Sequence, residues 1–145
     1  MIKTIKSLEE LDHFVANFLA NLEVSEKATV LGLSGDLGSG KTTFVQKLVL
    51  QLGGKEGVTS PTFVIQKGYQ LPEGSKFKKI FHLDAYRLDS GQDLLSLGFK
   101  ELLEEKNTLI VIEWPEKVSE ILPADAKYLD FKFIDQTTRE ISNEE

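Results

Sequence analysis

The sequence predicts an α/β fold in three layers, built on a mixed, mainly parallel central sheet that carries one antiparallel hairpin. Three observations predict it. An apolar strand-like run, Ala28 to Leu33, leads into the glycine-rich SGDLGSGKTTF of Ser34 to Phe44, and the stretch Lys41 to Leu52 then reads as a helix ended by Gly53 and Gly54. The run Thr108 to Ile112 is almost wholly apolar, as a central parallel strand covered on both faces requires. Finally, Phe63 to Gln70 and Phe77 to Leu83 are strand-like runs on either side of the turn-rich LPEGS, Leu71 to Ser75, which reads as a hairpin.

The remaining elements follow in order. Ser7 opens a helix with Glu10 as its capping-box partner, and Leu11, Phe14, Val15, Phe18, Leu19 and Leu22 give that helix an apolar face for packing. Val58 to Phe63 leads into the hairpin. Asp93 to Leu97 and Lys100 to Glu105 read as short helical pieces, and a short helix is expected near Pro115 to Ile121. A strand pair, Tyr128 to Ile134 and Thr138 to Ile141, closes the chain, with the SNEE tail expected to fray.

With 145 residues, 41% of them hydrophobic, and no repeat or compositional break, the chain is expected to form a single domain over residues 1–145. No apolar run approaches the length of a bilayer crossing, and MIKTIKSLEE has no apolar stretch suited to a signal peptide, so a soluble protein that stays where it is made is expected, and the isolated chain is expected to be monomeric. Zero cysteines exclude disulfides and thiolate metal sites, and two histidines leave little for a zinc cluster. A net charge of −6 argues against a chain that coats nucleic acid by itself. The one small basic cluster, Lys76, Lys78 and Lys79 around Phe77, reads first as a solvated edge.

The chemistry starts in the loop. Gly35, Gly40, Lys41 and Thr42 match G-x-x-x-x-G-K-[ST], with the strand before and the helix after that this phosphate-binding motif needs. In such a loop, here Gly35, Asp36, Leu37, Gly38, Ser39, Gly40, Lys41, Thr42 and Thr43, backbone N–H groups turn toward phosphate oxygens and the helix adds its positive end. Lys41 then reaches the terminal phosphates and Thr42 offers a hydroxyl to Mg2+. The fold expected is accordingly P-loop NTPase-like.

Magnesium needs a second anchor, and Asp84 and Glu113 compete for it. The run before Glu113 is wholly apolar, whereas His82 interrupts the run before Asp84, so Glu113 is the metal-side choice. His82, Asp84 and Tyr86 then share one face of an extended segment. Asp84 either positions the attacking water, with Arg87 neutralising the transferred phosphoryl group, or forms a structural ion pair with Arg87. His82 taken alone reads as a structural, hydrogen-bonded residue. TSPTF, Thr59 to Phe63, is either a switch segment sensing the γ-phosphate through Thr62 or a proline turn entering a strand.

A GTPase is disfavoured because no asparagine is followed by lysine in an N-K-x-D stretch. A small-molecule kinase is disfavoured because its lid normally needs several arginines, and only Arg87 and Arg139 are present. Arg139, one of two arginines and on the C-terminal strand pair, is a candidate to stack on adenine. Left over is an ATP-binding core that acts on a partner, by hydrolysis or as a nucleotide-dependent docking module.

In sum, GDLGSGKTTF, SPTF at Ser60 to Phe63, HLDAYRL at His82 to Leu88 and IEWPEK at Ile112 to Lys117 resemble, in order and spacing, the signatures of the TsaE (formerly YjeE) family, across nearly the whole chain. The resemblance implies a cytoplasmic ATPase of the tRNA threonylcarbamoyladenosine pathway, with ATP and Mg2+ as ligands and TsaD and TsaB as partners, tRNA being met through their complex. It implies magnesium-linked roles for Thr42 and Glu113, a switch role for Ser60 to Thr62 and a functional role for Asp84 toward the catalytic water. Tyr86, Arg87, Trp114 and Glu116 complete the signatures. The acidic surface suits docking onto a partner better than gripping tRNA.

Overall fold

The computed structural model describes residues 1–36, 38–55 and 66–143. Their elements run β1 (Ile2–Ile5), α1 (Leu8–Asn21), β2 (Thr29–Ser34), α2 (Lys41–Gln51), β3 (Gln66–Gln70), β4 (Lys79–Asp84), α3 (Gly91–Leu95), α4 (Phe99–Leu103), β5 (Thr108–Glu113), β6 (Lys127–Asp135) and β7 (Thr138–Asn143), with 3-10 turns at Pro115–Lys117 and Ser119–Ile121. The strands form one sheet ordered β1-β7-β6-β2-β5-β4-β3. Its centre, β6-β2-β5-β4, is parallel, and the pairs β3-β4, β6-β7 and β1-β7 are antiparallel. This is the three-layer, mixed architecture expected.

The layers follow from strand periodicity. In β5 every residue is buried. Leu109 and Val111 join a core with α1 and α2 on one face, while Ile110 and Ile112 join a second core with α3 and α4 on the other. β2 divides the same way, Leu31 and Leu33 against Val30. The larger core is aromatic where α1 meets α2: Phe44 lies edge-on to Phe18 and Phe131, with centroids 6.0 and 5.4 Å apart. Ser7 caps α1 by accepting from the Glu10 amide, but the return bond of Glu10 goes to the Lys6 amide.

One strand goes unsignalled in the sequence, and two expectations change. Ile2–Ile5, which carried no strand signal, is an edge strand paired with β7. Only Ile5 of the four is buried, so no alternation marks it. Ser142 and Asn143 of the tail do not fray but extend β7. Pro115 to Ile121 forms two 3-10 turns instead of one helix. The lysines at 76, 78 and 79 fit their first reading as a solvated edge: Lys76 and Lys78 are exposed with Phe77 buried between them, the Lys76 ammonium donates to the Leu19 carbonyl near the end of α1, and Lys79 pairs with Glu105 at 3.1 Å. Val58 to Phe63 and the first part of the Phe63 to Gln70 strand lie outside the described residues.

Candidate functional site

The site is built where β2, β4 and β5 end. β2 stops at Ser34, and Gly35 turns the chain with φ 135°, a region that disfavours any side chain. A Cβ at Gly35 would also collide with the carbonyl oxygen of Phe131 on β6. Ser39 N–H donates to the Asp36 carbonyl, and Gly40, at φ 105°, starts α2. No side chain caps that helix, and its first backbone bond runs from Phe44 to Gly40. The N–H groups of the first turn, Lys41 to Thr43, therefore have no partner within the helix, which is what an anion site needs.

Lys41 folds back over its own loop. Its ammonium is buried, donates to the Gly35 carbonyl, lies 3.8 Å from Glu113 Oε1 and sits 4.6 Å from the centre of the Trp114 ring. Burying this charge is tolerable because a carboxylate and a ring face receive it. Glu113 is the last residue of β5 and is only 5% exposed, so it is no surface acid. Its other oxygen, Oε2, lies 2.7 Å from Nε2 of the fully buried His82. His82 Nδ1 has no hydrogen-bond partner among the described residues.

Asp84 ends β4 and stands in register with Glu113. Its Oδ1 accepts from the Tyr86 amide at 2.9 Å, and this local turn takes the chain off the sheet. Tyr86 is thus in a turn and does not continue the strand face of His82 and Asp84, contrary to the sequence reading. Its half-exposed ring leans on Trp114, centroids 5.1 Å apart. Arg87 is exposed, and among the described residues no ion pair joins it to Asp84. Trp114 adopts φ 60° and donates its N–H to Leu33 on β2, which ties the end of β5 to the base of the loop.

Of the residues singled out in the sequence, the fold brings Gly35, Gly40, Lys41, Thr42, Glu113 and Trp114 to the loop end of the sheet, with Asp84 beside Glu113. Asp36, Gly38, Ser39 and Thr43 complete the loop and the start of α2. Leu37 and Thr62, with the rest of Thr59 to Phe63, lie outside the described residues. Sequence reasoning missed the direct bond between His82 and Glu113. The signal was there: a single polar residue inside an apolar strand must find a polar partner. A hydroxyl at Thr42 and a carboxylate at Glu113 are the hard oxygen donors magnesium prefers, with phosphate and water to supply its other ligands.

The chain has relatives of known family and a solved structural neighbour. A family model described as "Threonylcarbamoyl adenosine biosynthesis protein TsaE" matches residues 5–141. The chain belongs to the TsaE family. The TsaE protein of Rickettsia prowazekii is 34% identical over 137 residues, 94% of this chain and 89% of that one. That of Borreliella burgdorferi is 35% identical over 135 residues, covering 92% and 93%. The crystal structure of Bacillus subtilis YdiB superposes with a TM-score of 0.73 at 26% identity, covering 99% of this chain and 83% of that one. The TsaE family takes part in tRNA threonylcarbamoyladenosine biosynthesis. Among the described residues no helix is long and apolar enough to cross a membrane.

Proposed function

We propose that this chain is a Mg2+-dependent ATPase subunit of that pathway, working on an assembly of TsaD and TsaB in the cytoplasm and meeting tRNA through it. One observation carries the reading: the loop lysine lies within ion-pair range of a buried carboxylate at the end of the adjacent parallel strand, with a second carboxylate in register beside it. An uncharged site has no use for this constellation, whereas a nucleoside triphosphate and its metal need each part of it.

In this reading the loop amides and Lys41 hold the β- and γ-phosphates, and Thr42 and Glu113 hold Mg2+, which neutralises the phosphate oxygens. Asp84 orients water for attack on the γ-phosphorus; the new P–O bond forms as the bond to the β-bridging oxygen breaks, giving ADP and phosphate. Arg87 is exposed and free to swing toward the phosphoryl group, and Thr62 serves as the switch hydroxyl. His82 holds Glu113 in place.

A second reading has its own observation. The Trp114 ring lies against both the buried Lys41 ammonium and the half-exposed Tyr86 ring, a path from the loop to the surface. On that path ATP binding alone would organise a docking face.

Titration with ATP and steady-state hydrolysis, with and without TsaD and TsaB, test both readings. Lys41→Ala is expected to abolish ATP binding and support of tRNA modification; retention of both would refute the proposal. Asp84→Asn is expected to keep ATP binding and partner assembly while stopping multiple turnover. Undiminished turnover in that variant would favour the docking reading.

A further inference from the structure

Glu113 is where the charges of the site meet, and both of its oxygens are engaged. Oε2 lies 2.7 Å from Nε2 of His82, and Oε1 faces the Lys41 ammonium at 3.8 Å. The two partners differ in kind. His82 is fully buried within β4, whose register with β5 sets it opposite Val111, so its hold on Oε2 is part of the sheet. Lys41 reaches Oε1 from the start of α2 on a flexible stem, and such a stem can turn its ammonium to another acceptor.

The inward position of Lys41 is well supported. Its ammonium meets the Glu113 carboxylate, the Gly35 carbonyl of its own loop and the Trp114 ring, whose centre is 4.6 Å away, and the side chain is only 4% exposed. Trp114 is set for this contact by its backbone. It adopts φ 60°, a conformation that is strained for a bulky residue, and its N–H bond to the Leu33 carbonyl maintains it.

An ammonium and a metal ion cannot share Oε1. Mg2+ binds a carboxylate oxygen at about 2.0–2.1 Å, and a dication so placed would stand against the ammonium on the same oxygen. Were the ammonium simply to leave, the buried carboxylate would lose its countercharge, which is also unfavourable. Exchange avoids both penalties: the ammonium passes to phosphate oxygens at the loop as the metal ion takes its place on Glu113.

We propose that Lys41 is a latch on Glu113: its ammonium, braced by Trp114, closes Oε1 to divalent metal, and a polyphosphate in the loop draws it off and opens the carboxylate, so that metal binding depends on phosphate binding. The latch rests on the ATPase reading, in which the loop holds phosphate and Glu113 holds the metal. It adds the order in which the site fills and the residue that enforces it.

Calorimetry on the full chain tests the latch with Mg2+ alone, with inorganic tripolyphosphate in EDTA, and with ATP plus Mg2+. Emission from Trp114, the only tryptophan, is read alongside. The unaltered chain is expected to bind tripolyphosphate without metal and to shift its Trp114 emission as the cation leaves the ring, while Mg2+ alone gives neither binding heat nor a shift. Lys41→Met keeps an apolar stem and removes the charge. It is expected to bind Mg2+ alone at least about tenfold more tightly than the unaltered chain, within the usual range for coupling between linked sites. Adding Glu113→Gln to Lys41→Met should abolish that gain. Equal Mg2+ affinity in the unaltered and Lys41→Met chains, a requirement for Mg2+ before tripolyphosphate binds, or tripolyphosphate binding that leaves Trp114 emission untouched would overturn the latch while ATP and Mg2+ still bind together. The last two results come from the unaltered chain and decide the matter even if Lys41→Met fails to fold. If the unaltered chain did not bind ATP with Mg2+, the ATPase reading would fall and the latch with it.

Discussion

Glu113 holds two contacts at once, His82 on one carboxylate oxygen and Lys41 facing the other. The sequence chose it over Asp84 by comparing LIVI with IFHL, a comparison that took the interruption in IFHL as a sign of a less interior strand. β4 is as interior as β5, paired on both edges, and His82 interrupts it because Glu113 needs a partner there. The two acids should separate in kinetics. Glu113→Gln, which keeps a hydrogen-bonding oxygen for His82, is expected to raise the Mg2+ concentration for half-maximal hydrolysis by about tenfold or more. Asp84→Asn is expected to lower kcat by about 10²-fold or more at similar ATP affinity, as loss of a general base does. Gly35→Ala tests the loop backbone. Its Cβ would meet the Phe131 carbonyl and its φ would become strained, so urea unfolding should show a loss of about 1–3 kcal/mol, with ATP binding weakened too.

Among the elements, α1 and the β6-β7 hairpin lie beside the glycine-rich loop and line one cleft with it. The Ser7 cap was legible from S-x-x-E spacing, and Ser7→Ala is expected to cost about 1 kcal/mol in chemical denaturation. The hairpin turn carries a pH signature. The Thr137 amide donates to Asp135 Oδ1 and, with the neighbouring threonine hydroxyls, holds that carboxyl below the ordinary aspartate range. A lowered pKa means that the contact stabilises the fold at neutral pH, and the contribution disappears as pH falls through the lowered value. An NMR titration of the Asp135 carboxyl should therefore give a midpoint below that of aspartate in a short peptide. Helix faces were easier to read than β1 because an amphipathic helix repeats its pattern over several turns, whereas a four-residue edge strand with one buried side chain repeats nothing.

For the whole molecule, the two cores share one sheet, so a change on either face is felt through β2 and β5. Phe44 sits among rings from α1 and β6, and Phe44→Ala is expected to cost about 3–5 kcal/mol by calorimetric or denaturant unfolding. The sequence by itself determined the glycine-rich loop between a strand and a helix, the succession of the central elements and the acids Asp84 and Glu113 at strand ends, because these depend on residue types at short spacing or on runs of one polarity. Only the tertiary structure decided that Lys41 meets both Glu113 and Trp114, that His82 supports Glu113, and that Arg139 closes against Gly40. Those pairs are separated by tens of residues along the chain and are joined by strand register and by the docking of the loop and α2 on the sheet, both fixed by packing across the whole sheet and not by any local stretch of sequence.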